Sequence, residues 1–266
     1  MDNGTPIIKL VEAVQESAKY RSVCPELIFR VGRKELATRP SLKIAIKETK
    51  NTLHQIAGAY LDSVPRYADW QRELEAAHGP EAIRELCLRW MAQHASTRER
   101  LPFLETFYPA VLAEIGTIRS VIDIACGLNP LSLPWMGLGP EVRYDSCDLY
   151  GDMMGFVAAF LQRIGQAGSA QVCDAAVTPP GQEADLALIL KFLPVLEQTE
   201  RGSTLAWLQR LHAPVLLVSF PTRSLGGRGK GMAEHYETRF RETIRPQGWN
   251  VLRFAFPNEL CFLIRK

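Results

Sequence analysis

"VIDIACGLNPLSLPWM", residues 121–136, decides how the rest of this chain is read. An apolar, β-branched run carries Asp123, then enters a turn that holds Ala125, Gly127 and, further on, Pro130 and Pro134. Such a run suits a buried strand that feeds a ligand loop at the carboxyl end of a parallel sheet. A dinucleotide loop of the G-x-G-x-x-G kind would carry three glycines here, and this loop carries one. Pyrophosphate needs several backbone N–H groups at close range, so the loop points away from NAD. It equally fits an ordinary buried strand followed by a Pro-rich turn.

Outward from this stretch, short apolar runs alternate with helical ones. "SVIDIA", "EVRYDSCD", "SAQVCD", "ADLALILK" and "APVLLVSFP" read as strands, with "MMGFVAAFLQRIG" and "TLAWLQRLH" as helices between them. The alternation predicts an α/β fold, Rossmann-like, with parallel strands and crossover helices on both faces. The end differs: "WNVLRFAF" and "ELCFLIRK" are separated only by "PN", a connection that joins antiparallel strands but not parallel ones. A mostly parallel sheet with a terminal antiparallel hairpin is therefore expected. Acids recur at its strand ends. Asp148 ends the second strand 21 residues after Gly127, and Asp174 ends the third. The second can accept from both ribose hydroxyls and the third from an adenine amino group, which favours S-adenosylmethionine over NAD. The alternative is that these acids cap ordinary turns. Asp123, inside the first strand, is expected to be structural.

The first 75 residues read as helices instead. Thr5-Pro6 opens one with Ile7, Leu10, Val11, Val14 and Ala18 at helical spacing, and Pro25 opens a second with Leu27, Ile28 and Val31. A third follows Ser41, with Ile46, Leu53, Ile56 and Tyr60 as its buried stripe. Lys43, Lys47, Lys50 and His54 fall together on another face. The chain has a net charge of only +2, yet residues 19–50 hold nine Lys/Arg against three Asp/Glu. With Arg30, Arg33, Lys34 and Arg39, the stripe forms either a phosphate-binding surface or a merely solvated face. "DSVPRYADW" and the "HGP" turn at 78–80 part this module from the rest, so residues 1–75 and 76–266 are read as two units.

Composition narrows the class. Hydrophobic residues make up 47% of 266 and charged residues 23%, ordinary values for a soluble globular protein. No apolar run reaches 18 residues and the N-terminus does not read as a signal peptide. The six cysteines form no C-x-x-C pair, so reduced thiols in the cytoplasm are expected and no metal. Cys126 lies in the loop, but no His or acid is placed in sequence to pair with it.

"HASTRERLP", "DIACGLNPL", "LILKFLP" and the long string "VSFPTRSLGGRGKGM" closely resemble the aminoglycoside-resistance 16S rRNA methyltransferases that act on N7 of guanosine 1405. "YRSVCP" and "LHQIAGAYL" extend the resemblance into the first module, so it spans nearly the whole chain. It implies a class I S-adenosylmethionine-dependent methyltransferase with a helical N-terminal RNA-docking module. It also implies S-adenosylmethionine as cofactor, no metal, and the decoding site of the 30S subunit as partner, met by a monomer. The implied cofactor residues are His94, Ala95, Ser96, Arg100, Ala125, Gly127, Asp148, Asp174, Ala175 and Leu190, with Tyr60 lying over the site. Arg100 would pair with the methionine carboxylate, Ser96 would cap the helix presenting it, and Gln198 or Thr199 would supply a further contact. Arg223, Arg228 and Lys230 would hold phosphates beside the target base, with Met232 packed on it. Lys191 would hold RNA or form a structural ion pair. Guanine N7 has a lone pair and no hydrogen, so no general base is expected; Arg228, Lys191 and Met232 are positioning candidates. Two other readings stay open: methylation at another rRNA position such as adenine N1, or a non-catalytic RNA-binding protein on the same fold.

Overall fold

Five short strands build the parallel part of a seven-stranded sheet: β1 (Ser120–Ile124), β2 (Arg143–Asp148), β3 (Gly168–Val172), β4 (Leu186–Leu190) and β5 (Val215–Pro221). β6 (Asn250–Phe256) and β7 (Glu259–Arg265) form the expected hairpin, and the strand order is β3-β2-β1-β4-β5-β7-β6. β7 is antiparallel to both neighbours and lies between β5 and β6. This architecture comes from a computed structural model that describes residues 4–58, 60, 65–222 and 231–266.

Alternation along the central strands serves two cores. Val121, Leu186, Leu188 and Leu217 join one cluster, whereas Ile122, Ile124, Ala187, Ile189, Leu216 and Val218 join the other. Helices cover both faces, which is why the strands read as nearly unbroken apolar runs. In chain order the helices are α1 (Gly4–Gln15), α2 (Pro25–Thr38), α3 (Leu42–Leu53), α4 (Tyr67–Ala76), α5 (Gly79–Met91), α6 (Ala95–Arg98) and α7 (Leu104–Leu112). After β1 come α8 (Leu133–Met136), α9 (Gly151–Ile164), α10 (Leu193–Thr199), α11 (Thr204–Gln209) and α12 (Met232–Ile244). α9 packs into the first core and α10, α11 and α12 into the second. Order reverses beside β1, between β2 and β4, so ligand space opens at the carboxyl ends of these strands.

The N-terminal helices are joined to that end of the sheet. Cys24 donates its backbone N–H to the Leu149 carbonyl at 2.7 Å, and Gly151 donates to Ser22 at 2.6 Å. A Val23–Tyr150 bridge lies between these bonds, immediately after Asp148. α4 lies across the division read at residue 75: Tyr67 and Trp70 both pack on Phe156 of α9, at 5.6 and 5.4 Å between ring centres. Two helical details differ from the sequence reading. α1 stops at Gln15, leaving Ala18 exposed. The buried line of α3 is Ala45, Thr49 and Leu53, with Ile46 only half-buried.

Candidate active site

The loop after β1 is held in a conformation that side chains resist. Ala125 and Gly127 both have positive φ, 52° and 53°. For a residue with a Cβ this costs on the order of 1–3 kcal/mol and persists only where the surroundings enforce it. Asp148 ties the loop down at Gly127: its Oδ2 accepts the Gly127 N–H at 2.9 Å and its Oδ1 the Leu149 N–H at 2.6 Å. A carboxylate has about four lone-pair sites, so capacity remains for ligand hydroxyls. Burial raises the Asp148 pKa, against the lowering effect of these N–H groups. Gly127 also faces His94, whose ring would lie 2.8 Å from an added Cβ. The His94 ring stacks on Tyr60 at 5.9 Å, its Nδ1 lies 3.0 Å from Ser96 Oγ, and Ala95 N–H donates to the Tyr60 carbonyl.

These groups line a cavity at the strand ends. Nine of the eleven cofactor positions implied by resemblance meet there. Tyr60, His94, Ser96, Ala125 and Gly127 form one side, with Asp148, Asp174, Ala175 and Leu190 also on the wall. Thr199 lines it, while Gln198 lies on a separate groove against α12. Sequence reasoning missed most of the apolar wall, including Ile56, Leu149, Tyr150, Met153 and Phe192. For Leu149 and Tyr150 the signal was adjacency to Asp148.

Other candidate residues have different surroundings. Ala95 and Arg100 are absent from the cavity wall. Arg100 is 1% exposed, and Glu259 engages it twice, Nε to Oε2 at 3.1 Å and Nη2 to Oε1 at 2.6 Å. Its Nη1 donates to Asn129 Oδ1, so all of the guanidinium nitrogens are engaged by the protein. Ser96 is no cap: α6 begins after His94 with no side-chain cap. Lys191 does line the cavity, at φ 58°, but its Nζ lies 2.6 Å from Glu99 and 3.6 Å from Glu259. Burial would raise the Glu259 pKa, yet Arg100 and Lys191 outweigh it and hold the carboxyl below its usual value. Asp123 is structural, fully buried and bonded by Asn129 and Tyr144. Cys126 is buried, and burial pushes its thiol well above its ordinary value, disfavouring the thiolate.

The basic face divides. Lys43 and Lys47 are exposed, whereas Lys50 donates to Ser17 Oγ at 2.6 Å. Arg33 lies over the Phe29 ring, and Lys34 lies 3.6 Å from Glu200. Met232, at the start of α12, is half-buried and off the cavity wall. Arg223, Arg228 and Lys230 lie outside the described residues.

Does the cavity suit a nucleoside sulfonium? The strained loop brings backbone close, without the run of N–H donors a pyrophosphate needs. Asp148 keeps acceptor capacity for a diol, and the surrounding wall is largely apolar. The fit holds. With a parallel sheet closed by an inserted antiparallel strand, these features define a class I S-adenosylmethionine-dependent methyltransferase.

Comparison with known proteins gives the particular family. Residues 16–263 match the model described as "Ribosomal RNA methyltransferase (FmrO)". The chain is 38% identical over 265 residues to the 16S rRNA (guanine(1405)-N(7))-methyltransferase of Micromonospora echinospora, covering 98% of this chain and 97% of that protein. Its identity to the protein of the same name from Frankia casuarinae is 39% over 261 residues, covering 96% and 92%. The crystal structure of the 16S rRNA methyltransferase RmtF with S-adenosyl-L-homocysteine aligns at a TM-score of 0.82 and 34% identity, over 100% of this chain and 99% of that one. This chain belongs to the FmrO family of ribosomal RNA methyltransferases.

Proposed function

We propose that this chain methylates N7 of guanosine 1405 of 16S rRNA in the 30S subunit, using S-adenosylmethionine. The modification confers resistance to 4,6-disubstituted 2-deoxystreptamine aminoglycosides such as kanamycin and gentamicin. The observation that carries the reading is identity along nearly the whole chain to proteins named for this reaction. The cavity adds chemistry that agrees with it. When bound, S-adenosylmethionine supplies an electrophilic methyl group on a sulfonium. Asp148 would hold the ribose hydroxyls, Asp174 would accept from the adenine amino group, and the apolar wall would exclude water.

Guanine N7 presents an in-plane lone pair and loses no proton, so the chain's task is positioning. The cavity-facing groups agree with this division of labour. Tyr60 is pushed up to about 12 by burial and stays neutral, and Lys191 is anchored between two carboxylates. The target base must leave the RNA stack to reach such a cavity, and basic groups on α2, α3 and the segment 223–230 would hold the RNA while it does. Residues 1–75 act as the docking module and 76–266 as the methyltransferase domain, with the chain working as a cytoplasmic monomer.

Expression in a kanamycin-sensitive bacterium tests the reading. The wild-type chain should raise the inhibitory concentrations of kanamycin and gentamicin, and Asp148→Ala should abolish the effect. Unchanged susceptibility in cells that make the wild-type protein would reject it.

A further inference from the structure

Arg30 is a surface-helix cation that turns inward. It belongs to α2, whose other basic residues, Arg33 and Lys34, are exposed, yet it lines the cofactor cavity. Its Nε and Nη2 both donate to Oδ2 of Asp174, at 3.0 and 2.8 Å, while Nη1 reaches Glu200 at 3.3 Å. Two donors on one oxygen fix the carboxylate's rotation. They also leave Oδ1 without a hydrogen bond from any described residue, and Asp174 lines the same cavity. The helix itself has little freedom there, since the chain just before it is bonded to residues 149–151.

We propose that Arg30 is a positioning residue for cofactor recognition: it pins Asp174 so that Oδ1 faces the ligand's exocyclic amine. The proposal rests on the reading of Asp174 as the adenine acceptor. A carboxylate free to rotate must be ordered each time the ligand binds, and an N–H···O bond weakens steeply with misalignment. With its orientation fixed by a charged fork, the acid distinguishes a base carrying an amino group from one lacking it. The helix that offers Arg33 and Lys34 to RNA thereby also completes the adenine end of the cofactor site.

Calorimetric titration with S-adenosylhomocysteine, and with its analogue bearing hydrogen in place of the 6-amino group, tests this. The wild type should prefer the amino ligand by about tenfold or more, the range expected for one charge-assisted hydrogen bond. Arg30→Ala should lose most of that preference by weakening the amino ligand alone, and Arg30→Lys should recover part of it. Undiminished preference in Arg30→Ala would overturn the inference. So would equal weakening of both ligands, which marks a purely structural role. Asp174→Asn separates the two levels: if it keeps the full preference, the adenine reading fails; if only Asp174→Asn loses it, Arg30 alone is acquitted of the role.

Discussion

Asp123 illustrates how a buried residue can be read from sequence in kind but not in consequence. Its place inside β1 marked it as structural, and one of its oxygens, Oδ1, has no hydrogen-bond partner among the described residues. Burial raises its pKa to about 6, against the lowering effect of Tyr144, Asn129 and Arg100. A carboxyl with a raised folded pKa holds its proton more tightly when folded. Its contribution to stability is therefore complete below pH 4 and declines as pH rises towards 6, by about 3 kcal/mol at most. Asp123→Asn should flatten that decline, measured by urea unfolding across pH 4–7; an unchanged slope would contradict the burial account. Glu259 has the opposite sign, because its pKa is lowered and its stabilisation is lost as pH falls. The pairing of Arg100 with Glu259 could not be read from the sequence, for a reason of distance. The carboxylate that claims it lies 159 residues away, and no local pattern reports such a partner.

At the scale of elements, α3 followed the sequence as far as its phase held. Ser41 caps it by accepting from Ile44 N–H, and Lys43 and Lys47 face solvent. Beyond Leu53 the helix passes into a π turn, His54–Gly58. A π turn spaces its hydrogen bonds at i→i+5, so a stripe counted at 3.6 residues per turn loses register. Ile56 and Tyr60 line the cofactor cavity, and Ile56 also packs against the first core. The two exposed lysines carry a prediction. Lys43→Glu with Lys47→Glu should weaken 30S binding by roughly tenfold or more and reduce its salt dependence, leaving S-adenosylhomocysteine affinity intact. Unchanged 30S binding in a filter assay would remove α3 from the docking surface. The strand-end acids were legible because each stands where a parallel strand meets its loop. Most of the apolar wall was not, because it is assembled from α9, β4 and α10 as well as the loops.

At the scale of the molecule, the order β3-β2-β1-β4-β5-β7-β6 puts the switch in strand order beside the Ala125–Gly127 loop. The terminal hairpin was readable from its two-residue connection, while the insertion of β7 beside β5 depends on long-range pairing that sequence patterns do not encode. The same holds for the first module. Its helices were visible, but its bonding to residues 149–151 and the inward turn of Arg30 required the assembled fold. The proposed reaction alters one atom of one nucleotide. Purified 30S subunits incubated with the protein and labelled S-adenosylmethionine, then cleaved with borohydride and aniline, report N7-methylguanosine directly. A single new cleavage at guanosine 1405 that follows the label is the predicted result. Label at another nucleotide, or none on intact subunits, would contradict it.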